Sequence, residues 1–250
     1  MREHRLRREV GVVQRRTMPI ALERKLSPVQ PRTMVEQAAD AIVSAAARGI
    51  FLPGDRLVEA EIARELTISR VPVREALRLL ESHGVVVATP YKGMRLAELT
   101  SVRVRDLNSV RKTLQIMASH AAHDRTDAAP DWSGLRRIVD GLKEAASGGD
   151  LGATIQLEAA FHCELVRLSG NSVLSGLWQS LSKQVMMLGA LTRTVCGPEE
   201  IARRHEVLLE ALEKGGAAEL DAAWSLHLDW LDTFDVEAAL EELRKPKRGR

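Results

Sequence analysis

Ile68-Ser69-Arg70-Val71-Pro72-Val73-Arg74-Glu75-Ala76-Leu77-Arg78 decides how the first third of this chain reads. Ser69 is a good helix N-cap, because its hydroxyl accepts from a backbone N–H that the helix leaves unpaired. Pro72 then falls in the first turn, where a missing N–H costs nothing. Val73, Leu77 and Leu80 recur at helical spacing and form one apolar stripe. Arg70, Arg74 and Arg78 are each four apart and share the opposite face. A short helix with an apolar back and an arginine front suits the major groove of DNA.

The flanking residues extend the pattern. Glu59 to Leu66 reads as a preceding helix with Ile62, Ala63 and Leu66 inward, and Thr67-Ile68 is the short turn between the two. His83-Gly84 ends the arginine helix, Val85 to Thr89 reads as a strand, Pro90-Tyr91-Lys92-Gly93 as a turn, and Met94-Arg95-Leu96 as a returning strand. Upstream, Thr33 to Arg48 is a helix with Val35, Ala38, Ala39, Ile42, Val43 and Ala46 available for burial; Gly49 closes it, and Leu52-Pro53-Gly54-Asp55 turns the chain before Leu57. Helix, turn, helix and hairpin together predict a winged helix-turn-helix over residues 28–97. An arginine face alone also fits a solvated helix on an ordinary domain, but that reading leaves the ordered set unexplained.

This region resembles the GntR family of bacterial regulators. The matching residues are Gly49-Ile50-Phe51-Leu52-Pro53-Gly54-Asp55-Arg56-Leu57, then Ser69 through Leu77, then Gly93. The resemblance implies DNA contacts at Ser69, Arg70 and Arg74, with wing contacts at Lys92 and Gly93. Two positions depart from the pattern: Thr67 stands where the turn usually has glycine, and Ala60 where some members place a DNA-contacting arginine.

With 45% hydrophobic and 28% charged residues, the 250-residue chain has the composition of one large or two ordinary soluble globular domains. It has no apolar run of membrane-spanning length and no secretory signal. Two cysteines, Cys163 and Cys196, are too few for a disulfide framework, so a cytoplasmic protein with reduced thiols is expected. The overall charge of +2 hides an uneven distribution. Residues 1–96 hold 17 Lys/Arg against 11 Asp/Glu, residues 97–243 hold 14 against 23, and the last seven residues are basic. A basic end favours phosphate and an acidic middle repels it, so the two halves have different partners. Residues 1–27 read as a basic, disordered leader, and residues 244–250 as a basic tail.

Beyond a linker at residues 98–104, everything reads as helix, which makes the fold class mainly α: the winged domain plus an all-α bundle over residues 105–243. The expected helices are Asp106 to Asp124, with Leu107, Val110, Leu114, Met117 and Ala121 in register; Trp132 to Ala146; Asp150 to Leu168; Asn171 to Val195; one opened by Gly197-Pro198-Glu199-Glu200 and ended by Gly215-Gly216; and Ala217 to Leu243.

Three of these helices carry ionisable residues where their apolar stripes should continue: Leu151, Ile155, Glu158, His162, Leu165; then Ile201, His205, Leu208, Leu212; then Leu220, Trp224, His227, Leu231, Phe234. Each stripe steps by three or four, so each polar residue faces inward. Burying a carboxylate and three imidazoles without partners costs several kcal/mol. One shared divalent transition metal (Zn, Ni, Mn or Fe(II)) would satisfy all four, whereas any single histidine reads equally as a hydrogen-bonded core residue. Arg111 also interrupts a stripe, and a buried guanidinium needs an anion: an internal partner such as Glu158 or Asp106, or a bound carboxylate.

Glu158-Ala159-Ala160-Phe161-His162, Ser169-Gly170-Asn171, His205 and His227 resemble the FadR branch of the GntR regulators, whose helical effector domain is called FCD. The resemblance implies metal ligation by Glu158, His162, His205 and His227, with Glu158 where aspartate is usual, and effector binding at Arg111. The expected protein is a homodimeric regulator that binds an inverted-repeat operator in double-stranded DNA. A small organic acid would control it. A metal-dependent hydrolase fused to a DNA-binding domain and a metal-sensing regulator are the alternatives.

Overall fold

The computed structural model describes residues 33–91, 93–124 and 130–245; the expected leader, Lys92 and the end of the basic tail lie outside them. Helix α1 (Met34–Ala47) starts at a capping box, in which the Thr33 hydroxyl accepts from Glu36 N–H and the Glu36 carboxylate accepts from Thr33 N–H. A two-residue strand β1 (Arg56–Leu57), α2 (Glu59–Glu65), α3 (Arg70–Ser82), β2 (Val86–Thr89) and β3 (Gly93–Leu96) complete the winged helix-turn-helix. The sheet order is β1-β3-β2, antiparallel throughout, with Val86 opposite Leu96 and Thr89 opposite Gly93. The β1 strand was not expected from a Pro-Gly turn. It forms because the chain leaving that turn meets the free edge of β3.

Val73, Ala76, Leu77 and Leu80 of α3 are buried against α1, each burial of this kind contributing about 1.5–3 kcal/mol for the larger side chains. Thr67 closes the turn between α2 and α3 at φ +57°, a left-handed conformation that glycine adopts without strain and a β-branched residue does not. The departure from glycine is therefore carried as backbone strain at Thr67.

The all-α part follows: α4 (Ser101–His123), α5 (Ser133–Ser147), α6 (Leu151–Leu168), α7 (Ser172–Met186), α8 (Gly189–Thr192), α9 (Pro198–Lys214), α10 (Ala217–Leu228) and α11 (Val236–Arg244). Three expectations need correcting. The linker is shorter than residues 98–104, because Thr100 caps α4 through Arg103 N–H and Val104 is already buried within it. The long fourth helix breaks at Met187–Leu188 into α7 and α8. The long last helix breaks into α10, a 3₁₀ segment (Asp229–Thr233) and α11, whose new N-terminus is capped by the Asp235 carboxylate accepting from Ala238 N–H.

The inward face of α4 also differs from the apolar stripe. Val110 and Met117 are exposed, and the buried positions are Val104, Leu107, Asn108, Arg111, Gln115, Ala118, Ser119 and Ala122. Hydrophobic periodicity chose the wrong phase because this helix turns polar groups inward and pairs several of them. Asn108 donates to Leu228 O at 3.1 Å and to Asp232 at 2.9 Å, and Ser119 accepts from the Trp224 indole N–H at 2.9 Å.

The two parts share one core rather than meeting through a tether. Ala46 of α1, Val104 and Leu107 of α4, Leu188 and Leu191, and Phe234, Val236 and Ala239 belong to the same buried cluster as the α3 stripe. Lys183 of α7 pairs with Asp40 of α1 at 2.7 Å. Arg244, expected in a free basic tail, instead ends α11 and donates to Pro53 O at 2.7 Å.

Candidate functional site

Two constellations stand out. On the winged domain, Ser69 is at the N-cap of α3 as expected, but its hydroxyl makes no capping bond. The reason is local: the third helical position, a usual donor to such a cap, is Pro72, which has no N–H. The three arginines on the exposed face differ. Arg70 has no partner among the described residues. Arg74 donates from Nε at 3.2 Å and from its terminal nitrogen at 3.1 Å to the Glu59 carboxylate, which raises its pKa. Arg78 pairs with Glu75 at 3.1 Å. Gly93 opens β3 at φ +79°. Tyr91 stands fully exposed at the wing tip with φ +62°; an aromatic residue in a turn of polar character was the available signal, and it was passed over.

In the helical part, α6 supplies Glu158 and His162, α9 supplies His205 and α10 supplies His227. The expected inward faces are as observed: His162, His205 and His227 are buried. One ligand nitrogen from each lies within 4.8 Å of the other two. Burial pushes all three imidazoles below their ordinary pKa, most strongly at His162 and His227, and the Arg111 charge adds to this at each of them. They are therefore neutral at pH 7. The His205 Nδ1–H donates to Ile201 O at 2.7 Å, which fixes its tautomer and leaves Nε2 as a buried lone pair with no partner. Three converging neutral imidazoles, with the His205 Nε2 lone pair unpartnered, are a donor set suited to a divalent transition metal.

Glu158 is not part of that cluster. It lines the same cavity, with its carboxylate 3.9 Å from the Arg111 guanidinium. Arg111 is itself only 4% exposed, deeper than a residue bordering the core, and burial lowers its pKa against the opposing effect of Glu158. Its terminal nitrogen lies 2.7 Å from His162 Nε2. A guanidinium only donates, so His162 accepts there and carries its own proton on Nδ1. Arg111 thus occupies the lone pair that His162 would offer a metal at Nε2. Its Nε, meanwhile, has no partner.

The cavity beside these residues is lined by α6, the α7–α8 break, α9, α10 and the 3₁₀ segment, with Trp178, Met186, Cys196, Arg204 and Trp230 among its walls. Its volume is about 60 Å³, several times what one water needs. Arg204 was not singled out from the sequence, where it reads as one of two adjacent helix-surface arginines.

A winged helix-turn-helix joined to a helical domain that carries a cavity is the architecture of a DNA-binding protein with a second domain. The chain matches the gntR family of bacterial regulatory proteins over residues 34–96 and the FCD domain over residues 106–229. It is 31% identical over 206 residues to the HTH-type transcriptional regulator LutR of Bacillus subtilis, covering 72% of this chain and 91% of that one. It is 29% identical over 196 residues to a probable D-xylose utilization operon transcriptional repressor of Paenarthrobacter nicotinovorans, covering 78% and 86%. Among solved structures, E. coli McbR/YncC superposes with a TM-score of 0.70 at 21% identity, covering 85% of this chain and 99% of that one. This chain belongs to the GntR family, with an FCD domain following its winged helix-turn-helix. It is a DNA-binding transcription regulator and not an enzyme, which sets aside the fused hydrolase. Among the described residues no helix is long and apolar enough to cross a membrane.

Proposed function

We propose that this regulator changes its operator affinity when a small organic carboxylate enters the helical cavity, next to a divalent metal held by His162, His205 and His227 with Glu158. The observation that carries the reading is the meeting of three buried neutral imidazoles and a buried arginine in one cavity. The metal would supply a fixed positive charge. Arg111, displaced from His162 when that nitrogen is used as a ligand, would turn its guanidinium to the carboxylate. Zn, Ni, Mn and Fe(II) all suit such a site.

Ser69, Arg70, Arg74, Lys92 and Gly93 are the proposed DNA contacts. A homodimer would set two α3 helices in successive major grooves of an inverted repeat in the cytoplasm. The exposed apolar residues Val110 and Met117 on α4, and Val173 and Leu177 on the neighbouring α7, support a face for that second copy. Two routes lead from cavity to DNA. α4 enters the winged domain's core directly, and the C-terminal end of α7 both walls the cavity through Ser182, Val185 and Met186 and pairs with α1 through Lys183–Asp40. A coupling of about 1–3 kcal/mol is ordinary for such a switch.

Native mass spectrometry and elemental analysis of the purified chain and of His205→Ala test the site. About one metal per chain in the parent and loss in the variant are expected; full retention by the variant removes the assignment. If zinc alone, added to metal-free protein, changes operator binding as fully as any carboxylate does, the chain is a metal sensor instead.

A further inference from the structure

The cavity has a second cationic wall that a single carboxylate leaves unused. Arg204 lies one residue before His205 on α9, and its side chain is only 21% exposed. Two contacts hold its guanidinium in place. Nε donates to Glu200 Oε1 at 2.7 Å, one turn back on the same helix, and the planar group lies over the Trp230 ring with 5.0 Å from its carbon to the ring centroid. A third nitrogen, one of the terminal pair, is buried and has no partner. Glu200 does not neutralise Arg204 fully, because its carboxylate is shared with Arg203, which grips both of its oxygens at 2.7 Å from the outside.

Arg111 has the same property, a buried guanidinium N–H without an acceptor. Both arginines line the one cavity. A buried charged donor with no acceptor is costly, and two guanidinium groups in the wall of one cavity suit two acceptor groups. Among the described residues, Glu158 is the only carboxylate paired with either that also lines the cavity.

We propose that the ligand of this cavity is a short dianion, with one carboxylate on Arg111 and a second anionic group on Arg204. This deepens the carboxylate reading above and rests on it. Arg204, clamped by Trp230 and Glu200, sets the specificity: it selects two-ended acids over one-ended acids of the same length.

The test is calorimetric titration of the full chain as purified with malonate, succinate and glutarate, each set against the monoacid of equal carbon count: propionate, butyrate and pentanoate. The best diacid should bind about 10–100-fold more tightly than its monoacid partner. Arg204→Met keeps a long apolar stem against Trp230 and removes the fork. It should erase that preference, whereas Arg204→Lys should restore only part of it. If the parent binds monoacid and diacid equally, or if Arg204→Met keeps the diacid preference, the second anchor is wrong and the single-carboxylate site stands. If the parent binds neither series, the carboxylate reading falls with it. The parent comparison needs no variant, so a misfolded Arg204→Met does not rescue the proposal.

Discussion

Replacing Arg111 with methionine should tighten metal binding, although the residue removed is one of the most buried polar groups in the protein. The reasoning starts from the 2.7 Å contact between the guanidinium and His162 Nε2. A metal taken up at that nitrogen must first displace the arginine, breaking a buried hydrogen bond to a charged donor worth about 1.5–3 kcal/mol. Without the competitor, affinity should rise by about 10–100-fold. Two further effects have the same sign: a like charge leaves the neighbourhood of the cation, and Glu158 loses the partner 3.9 Å away and is released toward the imidazoles. Methionine fills much of the volume, and exchanging a buried charge for an apolar side chain is often neutral or stabilising, so the fold should survive. Zinc competition against a chromophoric chelator measures the affinity, with thermal unfolding of both proteins as the check on folding. The same variant should keep operator binding and lose its response to carboxylate. A folded Arg111→Met protein with zinc affinity equal to or weaker than the parent's would refute the competition argument.

Arg70→Ala and Arg74→Ala should each cost about 1–3 kcal/mol in operator affinity if they read bases, measured by fluorescence anisotropy; unchanged affinity and base preference in both would overturn the contact assignment. Thr67→Gly should stabilise the winged domain by about 0.5–1 kcal/mol, because relief of the φ +57° strain exceeds the added freedom of the unfolded chain; a lower urea midpoint would contradict this. Acid should destabilise the metal-free protein. His162, His205 and His227 have folded pKa values below the ordinary 6.5, so below about pH 6.5 the unfolded chain takes up protons that the folded chain refuses, and stability falls as pH drops. The slope is about 1.4 kcal/mol per imidazole per pH unit at most, and a urea midpoint unchanged between pH 7.5 and 5.5 would show that the three rings are not buried neutral.

Local chemistry made much of this protein legible without coordinates. Pro72, the Val73–Leu77–Leu80 stripe and Gly93 specify the arginine helix and the wing through short-range rules of backbone and periodicity, and Ser69 marks the helix start although Pro72 denies its hydroxyl the expected capping bond. The three histidines were found for the same reason, since each interrupts a clean apolar stripe on its own helix and so declares its direction before its neighbours are known.

Tertiary structure decided what depends on partners from distant parts of the chain. The phase of α4 was misread because an inward face carrying Asn108 and Ser119 is acceptable only where other elements offer hydrogen-bond partners, and sequence periodicity registers those residues as surface. The break at Met187–Leu188 is marked in the sequence only by Gly189, a single glycine that a helix can also carry through, and no glycine or proline marks the break after Leu228; the chain bends there to wall a cavity and to bring α11 back onto the winged domain. Arg111 on His162, Glu158 beside Arg111 rather than within the imidazole cluster, and Arg204 over Trp230 are pairings between helices or across a helix break. Spacing along one helix gives a side chain its direction, but the group waiting at the end of that direction is set by how the helices pack.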